Sequence, residues 1–191
     1  MPIRNFVIPC DPRAPAAALG DYHPYWIQGE RNPTFDKHSG FCLSLKDPAN
    51  RDFSKAVTYF TTRMLSYFVA QKGDFRAEFI AIPSHTAGAH SVGMRRVLDG
   101  VCKNDRRFSV RHGCLQRTKT IEKLAAGGRR ATIVHLDSME FDRGRATPPL
   151  KIIVDDVTTT GNSLEAAVTL VRGENAGAVV SCLVFGKTTH E

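Results

Sequence analysis

At 191 residues the chain is long enough for one domain with a substantial core and a small appendage. Hydrophobic residues at 42% and charged residues at 24% are ordinary for a soluble globular protein, and no apolar run approaches membrane-spanning length. The net charge of +7 has no long Lys/Arg tract behind it; many of the basic residues lie between Lys103 and Arg145, a concentration that suits a highly anionic small ligand as well as a nucleic-acid backbone. The first residues, Met1 to Asp11, hold one Arg and a short apolar patch, which is not a signal-peptide pattern, so a cytoplasmic location is expected. Five cysteines, Cys10, Cys42, Cys102, Cys114 and Cys182, stand singly without a CxxC pair; zinc is not expected, and Cys42, Cys114 and Cys182 read as core residues.

In chain order, residues Asn5 to Cys10 read as a short strand. Asp11 to Ala18, with two prolines, reads as a turn or loop. Tyr22, His23, Tyr25 and Trp26 form an aromatic cluster, Asn32-Pro33 is a turn signal, and Phe35 follows, with His38 expected on the surface nearby. Gly40 to Lys46 reads as a second strand. Residues 1–50 therefore read as a hood or edge element, and 51–191 as the core of a single domain. Phe53 to Gln71 is a helix: Phe53, Val57, Phe60, Met64 and Phe68 share one face. Glu78 to Pro83 is a strand that runs into Ser84, His85, Thr86, Ala87 and Gly88, and a helix with Met94, Val97, Leu98 and Val101 inward follows. Phe108 to Leu115 reads as a strand. Gln116 to Arg130 is a basic segment with a Gly127-Gly128 hinge, suited to covering an anion. Ile133 to Phe141 reads as a further strand, Arg143 to Pro149 as a loop, and Val179 to Phe185 as the last strand.

The most informative stretch is Lys151 to Ser163. Ile152, Ile153 and Val154 make a buried strand. Asp155 and Asp156 follow, then Val157, Thr158, Thr159, Thr160, Gly161, Asn162 and Ser163, then a helix with Leu164, Ala167, Val168 and Val171 inward. Hydroxyls and helix-start amides donate to a phosphate, and the helix dipole favours its charge. Carboxylates accept hydrogen bonds from sugar hydroxyls. Acids beside a hydroxyl-rich bend therefore suit a ribose held at its diol and at its 5′-phosphate. Helix capping alone would explain the Thr, Asn and Ser, but it does not ask for paired acids.

Val154-Asp155-Asp156-Val157-Thr158-Thr159-Thr160-Gly161-Asn162-Ser163 resembles the 5-phosphoribosyl-1-pyrophosphate (PRPP) motif of type I phosphoribosyltransferases at every position. Pro83 to His85 and the Arg-rich segment Arg117 to Arg130 sharpen the resemblance toward the competence-associated, ComF-type members, over about residues 40–188. The cysteine-rich zinc module of those members has no counterpart here. The resemblance implies an α/β fold, a doubly wound and mainly parallel sheet flanked by helices. It implies a Mg²⁺-dependent glycosyltransferase that moves a phosphoribosyl group between pyrophosphate and a nitrogen nucleophile such as a nucleobase. By it, Asp155 to Ser163 hold ribose and 5′-phosphate, and Ser84, His85, Thr86, Arg117 and Lys119 hold pyrophosphate. Asp155 and Asp156 hold Mg²⁺, and catalysis falls to these acids with Arg117 and Lys119. Lys123, Arg129 and Arg130 are further cations for the pyrophosphate, and a homodimer is compatible with the resemblance. Two alternatives stay open: a non-catalytic sensor of PRPP or a nucleotide with a basic face for nucleic acid, and a hydrolase or phosphorylase acting on an N-glycosidic bond.

Overall fold

The computed structural model describes residues 3–8, 11–71, 73–122, 132–144 and 148–189. Cys10, Lys123, Arg129, Arg130 and the Gly127-Gly128 hinge lie outside the described residues. The elements are β1 (Arg4–Ile8), β2 (Asp11–Ala18), β3 (Asp21–Tyr22), β4 (Trp26–Ile27), β5 (Glu30–Arg31), α1 (Lys37–Ser44), α2 (Phe53–Val69), β6 (Ala77–Ala81), α3 (Val92–Asn104), β7 (Phe108–Val110), β8 (Leu115–Arg117), α4 (Thr132–Leu136), β9 (Met139–Phe141), β10 (Leu150–Thr158), α5 (Asn162–Glu174) and β11 (Val179–Thr188). They build a mixed, mainly parallel sheet in the order β1-β2-β11-β10-β6-β7, with β3 added to the end of β11. Among the described strands of this sheet, β1, at the edge, runs antiparallel to its neighbour and the other pairs are parallel.

Helices cover both faces, as a mainly parallel sheet requires. Alternation along β10 assigns the faces. Ile152 and Val154 pack under α2 and α3, against Phe60, Met64, Phe68, Val97 and Leu98. Ile153 points the other way, to Leu164, Ala167, Val168 and Val171 of α5. Stacked rings tie the first layer together, with Phe60 and Phe185 centroids 4.5 Å apart and Phe79 and Phe108 4.9 Å apart.

The central strand carries one buried ion pair. Lys151 on β10 and Glu78 on β6 are register partners, and Lys151 Nζ lies 2.9 Å from Glu78 Oε2. Their side chains are 1% and 4% exposed, so two charges sit inside the sheet layer with Arg111 Nε 3.9 Å from the same carboxylate.

Several elements differ from the sequence reading. Gly40 to Lys46 is not a strand: α1 ends at Ser44. Asp36 caps this helix by accepting from the Ser39 amide at 2.8 Å, and the inward stripe is His38, Ser39, Cys42 and Leu45. Two of those four are polar, which hides the helical period. His38 is 2% exposed rather than on the surface. Burial holds it below the ordinary histidine range, and the neutral ring donates from Nε2 to the Phe185 carbonyl at 2.8 Å and accepts at Nδ1 from the Tyr59 hydroxyl at 3.0 Å. Asp11 to Ala18 is strand β2, not a loop. Pro15 lies opposite Val7 of β1, just before Ala16 to Ala18 pair with β11, so its missing N–H costs the inner ladder nothing. Phe108 to Leu115 splits into β7 and the start of β8, and Ile133 to Phe141 into α4 and β9. Cys42 and Cys114 are buried free thiols, and Cys182 is buried in the layer under α5.

Candidate functional site

β6 passes through α3 to β7, on one side of the sheet order; β10 passes through α5 to β11, on the other. α3 packs on one face and α5 on the opposite face. The two neighbouring parallel strands thus send their connections in opposite directions, so a topological switch point lies at their carboxyl ends, where open α/β sheets bind ligands. The chain leaves β6 with the Ile82 amide donating to the Val154 carbonyl at 2.9 Å, directly beside Asp155.

β10 does not stop at Val154, where the sequence reading ends it. It continues to Thr158 on β11, while its pairing with β6 ends at Val154 and Ala81. Asp155 and Asp156 are therefore strand residues on a stretch with β11 on one side only. Successive strand residues point to opposite faces, and the two acids take different partners. Asp155 Oδ2 accepts from Ser163 Oγ of α5 at 3.2 Å, and its Oδ1 from the Asp156 amide at 2.9 Å. Asp156 Oδ1 accepts from the Val157 amide at 2.7 Å, and its Oδ2 lies 3.2 Å from Lys46 Nζ. Burial, then the Asp156 charge, push the Asp155 carboxyl up to about 7, against the pull of the Asp156 amide, Ser163 and Lys46. Partial burial works against the Lys46 charge, but Asp156, Tyr22 and Asp155 together hold the ammonium above its ordinary range.

The bend after β10 is Thr159, Thr160 and Gly161. Gly161 has φ of 89°, a left-handed conformation open to glycine, and it turns the chain into α5. No side chain caps this helix start among the described residues. Thr159 Oγ1 meets Thr188 Oγ1 at 2.9 Å, and the Lys187 ammonium donates to the Thr159 carbonyl. Burial holds Lys187 below the ordinary lysine range. The bend thus has a positive charge beneath it that sequence reading missed; its only signal was a lone Lys at the end of the last strand.

The loop between β6 and α3 carries Ser84, His85 and Thr86. All described peptide bonds are trans, those of this loop included, and Gly88 turns it with φ of 69°. The loop is laced to the segment after β8. The Gly88 amide donates to the Arg117 carbonyl at 3.0 Å, the Ala87 amide to Thr120 Oγ1 at 3.0 Å, and the Ile121 amide to the His85 carbonyl at 2.9 Å. Thr86 Oγ1 lies 3.3 Å from His85 Nε2.

Arg117 and Lys119 separate. Lys119 is exposed. Arg117 is 3% exposed, with its guanidinium turned inward. Nε donates to the Ser84 carbonyl at 2.7 Å, Nη1 to Ser138 Oγ at 2.6 Å, and Nη2 to His135 Nδ1 at 3.4 Å. In this arrangement Arg117 fixes the Ser84 loop from behind. Arg117→Met should lower stability by about 2–3 kcal/mol in urea denaturation, because it strips charge-assisted bonds from buried acceptors. Arg117→Lys should recover little of this, since an ammonium cannot serve the three directions of the fork.

The aromatic group lies at the same end of the sheet. Tyr22 in β3 pairs with Thr188. Burial raises its phenol, and Lys46 and Asp156 are among the charges that act on it. Tyr25 packs edge-on against Trp26 and Phe35, and Trp26 is 62% exposed on the β4–β5 hairpin. Pockets of about 410 Å³ between β1, β2, β11 and the end of α2, and about 510 Å³ between α1 and α2, lie away from the switch point. Among the described residues no cluster of three metal-ligating side chains occurs. A magnesium ion bound jointly with substrate phosphates needs only one or two carboxylates, and the carboxylates that β10 brings to the switch point are Asp155 and Asp156. No protein-family model matches the chain, and the comparison with curated proteins returns no match either.

Proposed function

We propose that the chain binds PRPP and transfers its phosphoribosyl group to a nitrogen nucleophile such as a nucleobase, releasing pyrophosphate, on a fold of the type I phosphoribosyltransferase kind. One observation carries this reading: the paired acids and the Thr-Thr-Gly bend stand at the topological switch point, beside the loop that follows β6. Asp155 and Asp156 accept hydrogen bonds from the ribose diol. Thr159, Thr160, Ser163 and the first amides of α5 donate to the 5′-phosphate, whose charge the helix dipole and Lys187 favour. Ser84, His85, Thr86 and Lys119 meet the pyrophosphate, and Arg117 keeps their loop in position.

Displacement at C1 asks little covalent help of a protein. Positive charge develops on the sugar ring and negative charge on the leaving group, so placement and electrostatics do the work. Magnesium, held by Asp155 and Asp156, supplies charge at the phosphate oxygens when bound. Exposed Trp26, with half-buried Tyr22, Tyr25 and Phe35, offers aromatic surface for the acceptor.

Calorimetric titration with PRPP and Mg²⁺, followed by a pyrophosphate-release assay over a panel of purines and pyrimidines, tests the proposal. Saturable binding with release for at least one base is expected. Absence of binding overturns the proposal. Binding without release for any base favours the sensor reading instead.

A further inference from the structure

Lys46 brings the N-terminal region into the crevice. It follows α1 directly, with the Leu45 amide donating to the Phe41 carbonyl at 3.1 Å and the Lys46 amide to the Leu43 carbonyl at 3.0 Å. The preceding residue is wedged against the first turn of α3: a Cβ added at Gly93 would collide with the Leu45 carbonyl oxygen. The backbone at this point is thus held on the helix that the β6 loop feeds, while the Lys46 ammonium reaches Asp156 on β10. One side chain spans the two walls of the switch point. An isolated surface ion pair contributes about 0–1 kcal/mol. Here the wedge fixes where the cation starts, and its target is an acid of the candidate diol site.

We propose that Lys46 determines specificity at this site: it neutralises Asp156 in the free chain and, once a sugar diol takes that carboxylate, pairs with an anionic group on the neighbouring carbon. The inference rests on the phosphoribosyl reading above. In a ribose the 2-hydroxyl and the C1 substituent sit on adjacent carbons. A cation 3.2 Å from the carboxylate that holds the hydroxyl is therefore within reach of a charged C1 substituent. A bare Asp156 carboxylate would repel that substituent, and Lys46 offsets it. A donor with a 1-pyrophosphate gains from this cation; ribose 5-phosphate, uncharged at C1, does not.

The test is titration of wild type, Lys46→Met and Lys46→Arg with PRPP and with ribose 5-phosphate, each with Mg²⁺, at one ionic strength. The Met variant should bind PRPP about tenfold more weakly, a loss of the size expected for one charge-assisted contact. Its affinity for ribose 5-phosphate should hold within about twofold, and Arg should restore most of the PRPP affinity. Its urea midpoint should match wild type, because the side chain is 52% exposed. Equal loss for both ligands, or loss for neither, overturns the inference and leaves the phosphoribosyl reading standing. Wild type that binds neither ligand overturns both.

Discussion

Asp155→Asn with Asp156→Asn should abolish detectable PRPP binding, a loss of at least about a hundredfold by calorimetry. Each amide keeps the size of the acid but presents one acceptor oxygen and two donors where the carboxylate presented two acceptors. The diol loses acceptors, and any bound cation loses its anionic partners. The loss should not come from unfolding. The fold holds the Asp155 carboxyl at about 7, well above an ordinary aspartate. A carboxyl with a raised folded pKa is ionised in the unfolded chain first, so stability falls as pH rises from the unfolded value near 4 toward 7. Asparagine at 155 removes that cost, so Asp155→Asn alone should unfold at a higher urea midpoint than wild type at pH 7.5, and the gap should close near pH 4. Retained affinity in the double variant would dismiss the acids from the site. A lower midpoint for the single variant would mean that the Ser163 bond stabilises the charged form more than burial opposes it.

Lys151→Met should destabilise the fold by about 3 kcal/mol, read from urea denaturation. Breaking a buried pair by removing one partner typically costs about 3–5 kcal/mol, because the remaining charge stays buried. Arg111 at 3.9 Å gives Glu78 a weaker second partner, which puts the expectation at the lower end. The double change Lys151→Met with Glu78→Leu should cost less than Lys151→Met alone, since no carboxylate is then stranded between the strands. If the two changes simply add, the residues are not coupled and the pair contributes nothing as a pair.

How much was legible in the chain varied with where the burial signal came from. β10, its bend and α5 could be read because β-branched residues run unbroken into the sheet and apolar residues then fall at helical spacing. α2 and α3 followed from the same rule. The strand was placed too short because Asp155 and Asp156 look like a loop; pairing with β11 alone carries them on as extended chain. α1 hides from a sequence reading because its inward face includes His38 and Ser39, and β2 because prolines read as breakers without knowledge of which edge they face. The ion pairs of Lys46 with Asp156 and of Lys151 with Glu78 join residues far apart in sequence, and no local pattern announces them. The resemblance makes Arg117 a pyrophosphate contact; its burial has no local signal, because it depends on Ser138 and His135 arriving from the turn after α4 and from α4 itself.

The place of β2 inside the sheet has a practical consequence for anyone shortening the chain. A fragment begun at residue 51 would keep the motif residues of the candidate site but lose Lys46 and the aromatic group, and it would strip β11 of its neighbour along Cys182 to Val184 and leave the Phe185 carbonyl without its histidine donor. A bared, apolar central strand is a template for intermolecular pairing, so the opening segment belongs in any expressed piece as structural necessity rather than ornament.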